Sequence, residues 1–268
     1  MTPQKKLAYL KSVISGYGSC LVAFSGGLDS TFLLKICSMV LPKDKLLAVT
    51  AFSAAYPETE LREAKILAED IGARHKVIKS TELNNKNFAS NSIKRCYFCK
   101  KELFTKLISI AGSNKLDFVL DAGNISDDKD YRPGNIAKKE LKIRSPLSET
   151  GFNKEDIRKA SRKLGLSTWN KPSLACLASR VPYGIKISAA LLKRIGRAEE
   201  YLTGFGFRQV RLRHYNGLCR IEVDKGDVRR LLSRRQEIVN RLKDLGYNYI
   251  TVDLEGYRTG SLNEVIDK

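Results

Sequence analysis

Cys96 and Cys99 stand three positions apart in the stretch IKRCYFCKKELF, residues 93–104. Two thiolates at that spacing are ligands in search of more donors, since a structural zinc site takes four. The chain has six cysteines and no second CxxC pair, and neither of its two histidines, His75 and His214, neighbours this one. At the start of a helix, positions i and i+3 point to one side, so the pair can face a common centre. A zinc ion completed by Cys219, Cys20 or a histidine, and two buried thiols, are both compatible with the spacing.

A third cysteine stands in NKPSLACLASRVPYG, residues 170–184. Cys176 is flanked by Ala175 and Ser179, with Arg180 close by. A neighbouring arginine lowers a thiol pKa and makes a better nucleophile and metal ligand. Spacing alone weighs this equally against a buried loop thiol. Cys20, Cys37 and Cys219 fall inside apolar strand or helix patterns and read as core thiols.

The segment AFSGGLDSTFLL, residues 23–34, has different chemistry. Gly26 and Gly27 let the backbone approach a ligand and aim N–H groups at phosphate oxygens. The helix that follows adds partial positive charge at its N-terminus. Ser25 and Ser30 offer hydroxyls, and Asp29 can hold a Mg²⁺ that neutralises phosphates. No lysine follows the last glycine, as a Walker loop requires. That argues against γ-phosphate transfer and fits cleavage between the α and β phosphates. GNISDDKDYRPG, residues 123–134, gathers Asn124, Asp127, Asp128, Asp130 and Arg132 after a strand. Composition alone would make it a polar turn; its place at a strand end favours a nucleotide or metal role. In VRLRHYNGLCRIEV, residues 210–223, Arg211 and Arg213 share one strand face and Glu222 lies across the hairpin. Paired arginines suit a phosphate, although a solvated sheet face explains them as well. Lys100 and Arg180 are candidates to assist near the reacting centre, although surface charge explains them as well; Trp169 and Tyr97 could stack on a ring or equally be core aromatics.

These residues must be carried by elements. CLVAF (20–24) is an apolar run without alternation, the pattern of a strand buried on both faces. Strands are expected at 45–52, 74–80 and 117–123, with helices at the N-terminus and over 29–41, 57–72 and 96–112. This alternation predicts an α/β, doubly wound parallel sheet, whose ligands bind beyond the carboxyl ends of the strands. After VPYG the rhythm changes. A helix at 189–203, strands at 207–215 and 218–224 joined by Asn216-Gly217, a helix over about 227–245 that a break could divide, and a strand at 248–254 form a small α+β unit. The expected division is 1–184 for the nucleotide domain and 185–268 for a substrate-phosphate and oligomerisation domain.

The chain has 268 residues, 43% of them hydrophobic, which supports a packed core and argues against disorder. Neither a signal peptide nor a long apolar run is visible, so a cytoplasmic protein without a membrane segment is expected. In a reducing compartment its cysteines are thiols rather than disulfides. The net charge of +19 favours anionic partners: nucleotides, phosphorylated small molecules or RNA.

The loop SGGLDS resembles that of the PP-loop ATP pyrophosphatases, which implies ATP and Mg²⁺ and release of pyrophosphate. Four motifs in order, SGGLDS, RCYFCK, KPSLACLASRVPYG and DLEGYRTGSLN (253–263), resemble the ATP-dependent sacrificial sulfur transferase family, LarE, over about residues 15–263. That resemblance implies adenylylation of a carboxylate of pyridinium-3,5-biscarboxylic acid mononucleotide and its conversion to a thiocarboxylate. The product belongs to nickel-pincer cofactor biosynthesis for lactate racemase, which makes other proteins of that route candidate partners. In one branch of the family the cysteine matched by Cys176 is the sulfur source and is left as dehydroalanine. In another branch a CxxC pair joins this cysteine to hold a [4Fe–4S] cluster, and Cys96, Cys99 and Cys176 match that branch. The family's substrate-phosphate ligands match Arg211 and Arg213, with Glu222 beside them. Family members form homo-oligomers, hexamers among them. The competing class is a PP-loop tRNA-thiolating enzyme, which the basic charge would suit, although no appended RNA-binding module is visible. A non-enzymatic metal-binding protein on the same fold is the third reading.

Overall fold

The structure, a computed structural model, describes residues 2–127, 133–172, 175–258 and 260–264. In chain order its elements are α1 (Pro3–Tyr17), β1 (Cys20–Ala23), α2 (Leu28–Val40), β2 (Leu46–Phe52), α3 (Glu58–Ile71), β3 (Arg74–Lys79), α4 (Lys86–Ala89), α5 (Arg95–Ser113), β4 (Phe118–Leu120), α6 (Gly134–Glu140), α7 (Pro146–Glu149), α8 (Lys154–Lys163), α9 (Ala189–Thr203), β5 (Val210–Tyr215), β6 (Leu218–Val223), α10 (Val228–Ser233), α11 (Arg235–Asp244) and β7 (Tyr249–Val252). They divide into two compact units. The first holds Met1–Ser53, Pro57–Asn85 and Lys94–Leu174; the second holds Ala54–Tyr56, Lys86–Ile93 and Ala175–Lys268.

In the first unit β1–β4 form a parallel sheet in the order β3-β2-β1-β4. The apolar run of β1 is explained by its place. Cys20 and Val22 pack into one layer with Leu10, Phe32, Leu33 and Phe152. Leu21 packs into the opposite layer with Phe104, Leu107 and Val119. Both faces of the central strand are therefore covered, as parallel sheets require. β3 lies at one edge and is the most exposed strand, and its Arg74, Lys76 and Lys79 keep that edge from pairing with another chain. The chain runs from β1 outward through β2 to β3, then returns to place β4 on the other side of β1. This reversal opens a crevice at the carboxyl ends of β1 and β4, the usual ligand position in such sheets.

The helix boundaries have local causes. Pro57 precedes α3, and Gly72 ends it in the left-handed conformation, φ 78°. Asn153 caps α8 in a reciprocal capping box with Asp156.

In the second unit β5 and β6 are antiparallel around Asn216-Gly217, with Asn216 at φ 56°. β7 joins β6 in parallel. Leu192, Ile195, Ala198 and Leu202 form the buried stripe of α9. β5 begins at Val210, three residues later than its sequence pattern suggests. The helical stretch expected over about 227–245, with room for a break, is two helices, α10 and α11, broken at Arg234.

Candidate active site

The turn from β1 to α2 is organised by its serines. Ser30 Oγ accepts from Ser25 N–H at 3.2 Å, lies 3.0 Å from Ser25 Oγ and donates to Gly27 O at 3.2 Å. Gly26 adopts φ 71°, and a Cβ there would sit 3.0 Å from Ala64 Cβ. Only glycine satisfies both conditions. Gly27 stands at the helix N-cap with no side-chain cap. The first N–H groups of α2 thus keep their capacity for an anion.

Asp29, in the first turn of α2, forms an ion pair through Oδ2 with Lys154 at the start of α8. Its Oδ1 is buried with no hydrogen-bond partner among the described residues. Burial pushes the Asp29 carboxyl above the usual carboxylate range; Lys154 pulls the other way and Asp127 adds to the rise. A half-buried carboxylate with one unpartnered oxygen, beside N–H groups that suit phosphate, fits a Mg²⁺–nucleotide.

The loop after β4 reaches the same edge. Asn124 is buried; its Oδ1 accepts from Ser126 N–H at 3.0 Å, and its own N–H donates to Asp127 Oδ2 at 3.2 Å. Its Nδ2 is buried without a partner among the described residues. Asp128, Asp130 and Arg132 lie outside the described residues.

Among the described residues, two lysines that the motifs did not single out contact the phosphate loop and the first turn of α2. One is Lys154. The other, Lys171, donates to Gly26 O at 3.4 Å and pairs with Glu60 at 2.8 Å and Glu63 at 2.6 Å. Burial opposes its charge, but the two carboxylates outweigh this and hold Lys171 above the ordinary lysine range. Lys171 stands in the KPSLAC stretch and was legible as part of that motif; nothing local marks Lys154.

The cysteines sort into two sets. Cys20, Cys37 and Cys219 are fully buried, and burial pushes the Cys219 thiol up to about 12 and Cys37 well up too. Such thiols are inert. Cys96, Cys99 and Cys176 are only half-buried. Cys96 and Cys99 are the second and fifth residues of α5, in the first unit, with Arg95 Nη2 at 4.0 Å from Cys96 Sγ. Cys176 belongs to the second unit. Among the described residues no group of three or more His, Cys, Asp or Glu side chains is gathered to hold a metal ion. His75 Nε2 is 2.8 Å from Thr50 Oγ1, and Cys20 lies in the core beside β2, so neither is an open fourth ligand for zinc. Lys100, one residue past the pair, lies over the Phe104 ring at 5.2 Å. Tyr97 donates to Glu140 at 2.9 Å, and Trp169 lies under the Arg162 guanidinium.

In the second unit Cys176 precedes the short helical turn Leu177–Arg180. Arg180 is 2% exposed. It donates to both Glu199 oxygens at 2.9 Å, and to Ala175 O, Cys176 O and Ser179 Oγ at 2.7, 3.2 and 2.9 Å. It therefore holds the backbone of the Cys176 loop. Arg211 and Arg213 share a face of β5 opposite Glu222 and Arg220 of β6. Arg213 forms a fork with Glu222 at 2.9 and 2.8 Å and donates to Ser179 O and Ser261 Oγ, each at 2.8 Å. Glu222 also accepts from Arg220 at 3.1 Å. Arg211 donates to Val210 O at 2.7 Å and lies over the Tyr257 ring at 5.3 Å. Burial, with the like charge of Arg180, lowers the Arg211 pKa to about 10.

The parallel sheet, the switch point at β1 and a glycine–serine loop without a Walker lysine define a PP-loop, ATP-using enzyme. A family model described as NAD synthase matches residues 4–103. The chain is 35% identical over 263 residues to the pyridinium-3,5-bisthiocarboxylic acid mononucleotide synthase of Lactiplantibacillus plantarum, covering 98% of this chain and 95% of that protein. It is 39% identical over 267 residues to an uncharacterized protein of Synechocystis sp., covering 99% of each. A further uncharacterized protein, from Methanocaldococcus jannaschii, is 30% identical over 239 residues, covering 89% of this chain and 90% of that one. The chain belongs to the LarE family of PP-loop, ATP-dependent sulfurtransferases. No helix among the described residues is long and apolar enough to cross a membrane.

Proposed function

We propose that this chain is a pyridinium-3,5-bisthiocarboxylic acid mononucleotide synthase acting in nickel-pincer cofactor biosynthesis. The observation that carries the reading is the near full-length similarity to the L. plantarum synthase. The open loop at Ser25, Gly26, Gly27 and Ser30 supports it, since these groups suit the phosphates of ATP. Asp29, with its unpartnered Oδ1, is the residue to hold Mg²⁺, and Asn124 lies on the neighbouring loop.

A substrate carboxylate attacks the α-phosphorus of ATP and expels pyrophosphate, leaving an acyl-adenylate. The Cys176 thiolate attacks the acyl carbon and releases AMP. Loss of the Cys176 α-proton then breaks its Cβ–Sγ bond; the sulfur leaves as the thiocarboxylate and residue 176 becomes dehydroalanine. In the alternative, Cys96, Cys99 and Cys176 hold a [4Fe–4S] cluster. Thiolate chemistry and the half-exposure of these three cysteines suit it, against the burial of the other three. Such a cluster, when bound, would supply sulfide and spare Cys176. Arg180 positions the Cys176 loop, and Arg211 is the foremost candidate for the substrate phosphate, with Arg213 and Glu222 fixing its strand. Lys100 is assigned to the reacting centre, beside the cysteine pair. The family's oligomers make a homo-oligomer the expected assembly.

The test is incubation with ATP, Mg²⁺ and the biscarboxylic mononucleotide, read by mass spectrometry. Exchange of oxygen for sulfur in the product is the expected result; pyrophosphate release without sulfur transfer overturns it. Loss of H₂S from Cys176 marks the sacrificial route. About four irons per chain, lost in Cys96→Ala, Cys99→Ala and Cys176→Ala, mark the cluster. The net charge of +19 favours tRNA as the second reading, and thiolation of tRNA in place of the mononucleotide would establish it.

A further inference from the structure

We infer that Lys154, supplied from α8, is the pyrophosphate-binding cation of the phosphate loop, and that it leaves Asp29 for the nucleotide when ATP and Mg²⁺ bind. This rests on the ATP-dependent reading of the site.

The loop has no lysine after its last glycine, yet a leaving pyrophosphate needs positive charge beside it. Among the described residues two lysines, Lys171 and Lys154, contact the phosphate loop and the first turn of α2, and their surroundings differ. Lys171 is enclosed by two glutamates and the Gly26 carbonyl, and its side chain is 14% exposed. Nucleotide binding takes none of these partners away, so Lys171 stays as a strut between the loop and α3. Lys154 is 32% exposed and, among the described residues, pairs with one carboxylate, Asp29. That carboxylate is the expected Mg²⁺ ligand. A divalent cation on Asp29 competes with the ammonium for the same oxygens and repels it. The released ammonium stands beside the first turn of α2, where phosphate oxygens meet the open N–H groups.

The backbone of Lys154 is fixed, so the side chain alone has to move. Asn153 caps α8, and Lys154 N–H donates to Ser126 Oγ at 3.1 Å, on the loop after β4. Arg158, one turn further along α8, adds its charge near Asp29 but is tied to the carbonyls of Trp169 and Lys171 at 3.0 and 3.4 Å, which leaves Lys154 the cation in direct contact with Asp29.

The experiment is equilibrium calorimetry with Mg²⁺ and ATP, pyrophosphate or AMP on the full chain. Lys154→Met should lose roughly ten- to hundredfold in affinity for ATP and pyrophosphate and keep AMP affinity within about twofold. Lys154→Arg should restore most of the loss. Equal loss of ATP and AMP binding, or no loss of either, overturns the inference. Lysine-reactive labelling of the wild type gives a second readout that does not depend on a variant folding. ATP and pyrophosphate should protect Lys154, and AMP should not. Protection of Lys154 by AMP as strong as by ATP sinks the idea. A wild-type chain that binds neither ATP nor AMP overturns the ATP-dependent reading itself.

Discussion

The phosphate loop of the first unit and the charged hairpin of the second are equally rich in polar side chains and are built in opposite ways. At the loop the partners are incomplete. The N-terminus of α2 has no side-chain cap, Asp29 Oδ1 is buried without a partner, and Asn124 Nδ2 shares that condition among the described residues. At the hairpin the partners are supplied by the chain. Arg213 is forked onto Glu222, Arg220 joins them, and Arg180 is forked onto Glu199. Unpaired buried polar groups are costly, so they persist where a ligand completes them. A closed network instead holds its own strands in register. The same residue types thus stand partly open in one place and largely paired in the other.

Substitutions can break or sharpen this contrast. Glu222→Ala strands Arg213 in the interior and is expected to cost about 3–5 kcal/mol. A urea titration of the variant with unchanged midpoint would show that the hairpin is not a clamp. Asp29→Ala should leave unfolding nearly unaltered but reduce ATP-dependent pyrophosphate release by roughly 10²–10³-fold; loss of stability without loss of rate would reverse the contrast. Gly26→Ala forces a side chain into φ 71° against Ala64, which costs about 1–2 kcal/mol from the conformation alone. Its ATP affinity should fall further than its melting temperature suggests. Asn153→Ala removes the cap of α8 and should cost about 1 kcal/mol, measurable by chemical denaturation.

The smallest effect is one of pH. Arg144 holds the Glu149 carboxyl below the ordinary glutamate range; burial opposes this, and Ser145 N–H and Tyr17 reinforce it. A lowered folded-state pKa means that this contribution is present above the unfolded value and is lost as pH falls through the folded one. Wild type should therefore lose stability in the acid range below the ordinary glutamate value, and Glu149→Gln should lose less there. Identical acid profiles would assign the tie no role.

Much of the fold was legible because its causes are local. The uninterrupted apolar run of β1, the Pro57 and Gly72 boundaries of α3 and the Asn216-Gly217 turn each depend on residues a few positions apart. The break at Arg234 was not legible with certainty, because no proline or glycine marks it. Nor do the excursions of residues 54–56 and 86–93 into the second unit carry any local signature. At the site, the glycine–serine turn between β1 and α2 was legible through residue types and spacing. The state of the arginines did not: periodicity placed Arg211 and Arg213 on one face without revealing that Arg213 is already forked onto Glu222.

Residue order therefore settled which groups the chain carries: a glycine–serine turn after a buried strand, a CxxC pair, a third cysteine and a pair of arginines on one strand face. Short-range geometry follows from composition and spacing, so these needed no fold to be seen. Folding settled which groups are completed and which are left open. Lys154 meets Asp29 across 125 positions, and Lys171 reaches the Gly26 carbonyl across 145. Contacts at such separations come from sheet order and helix packing, and no window of neighbouring residues encodes them.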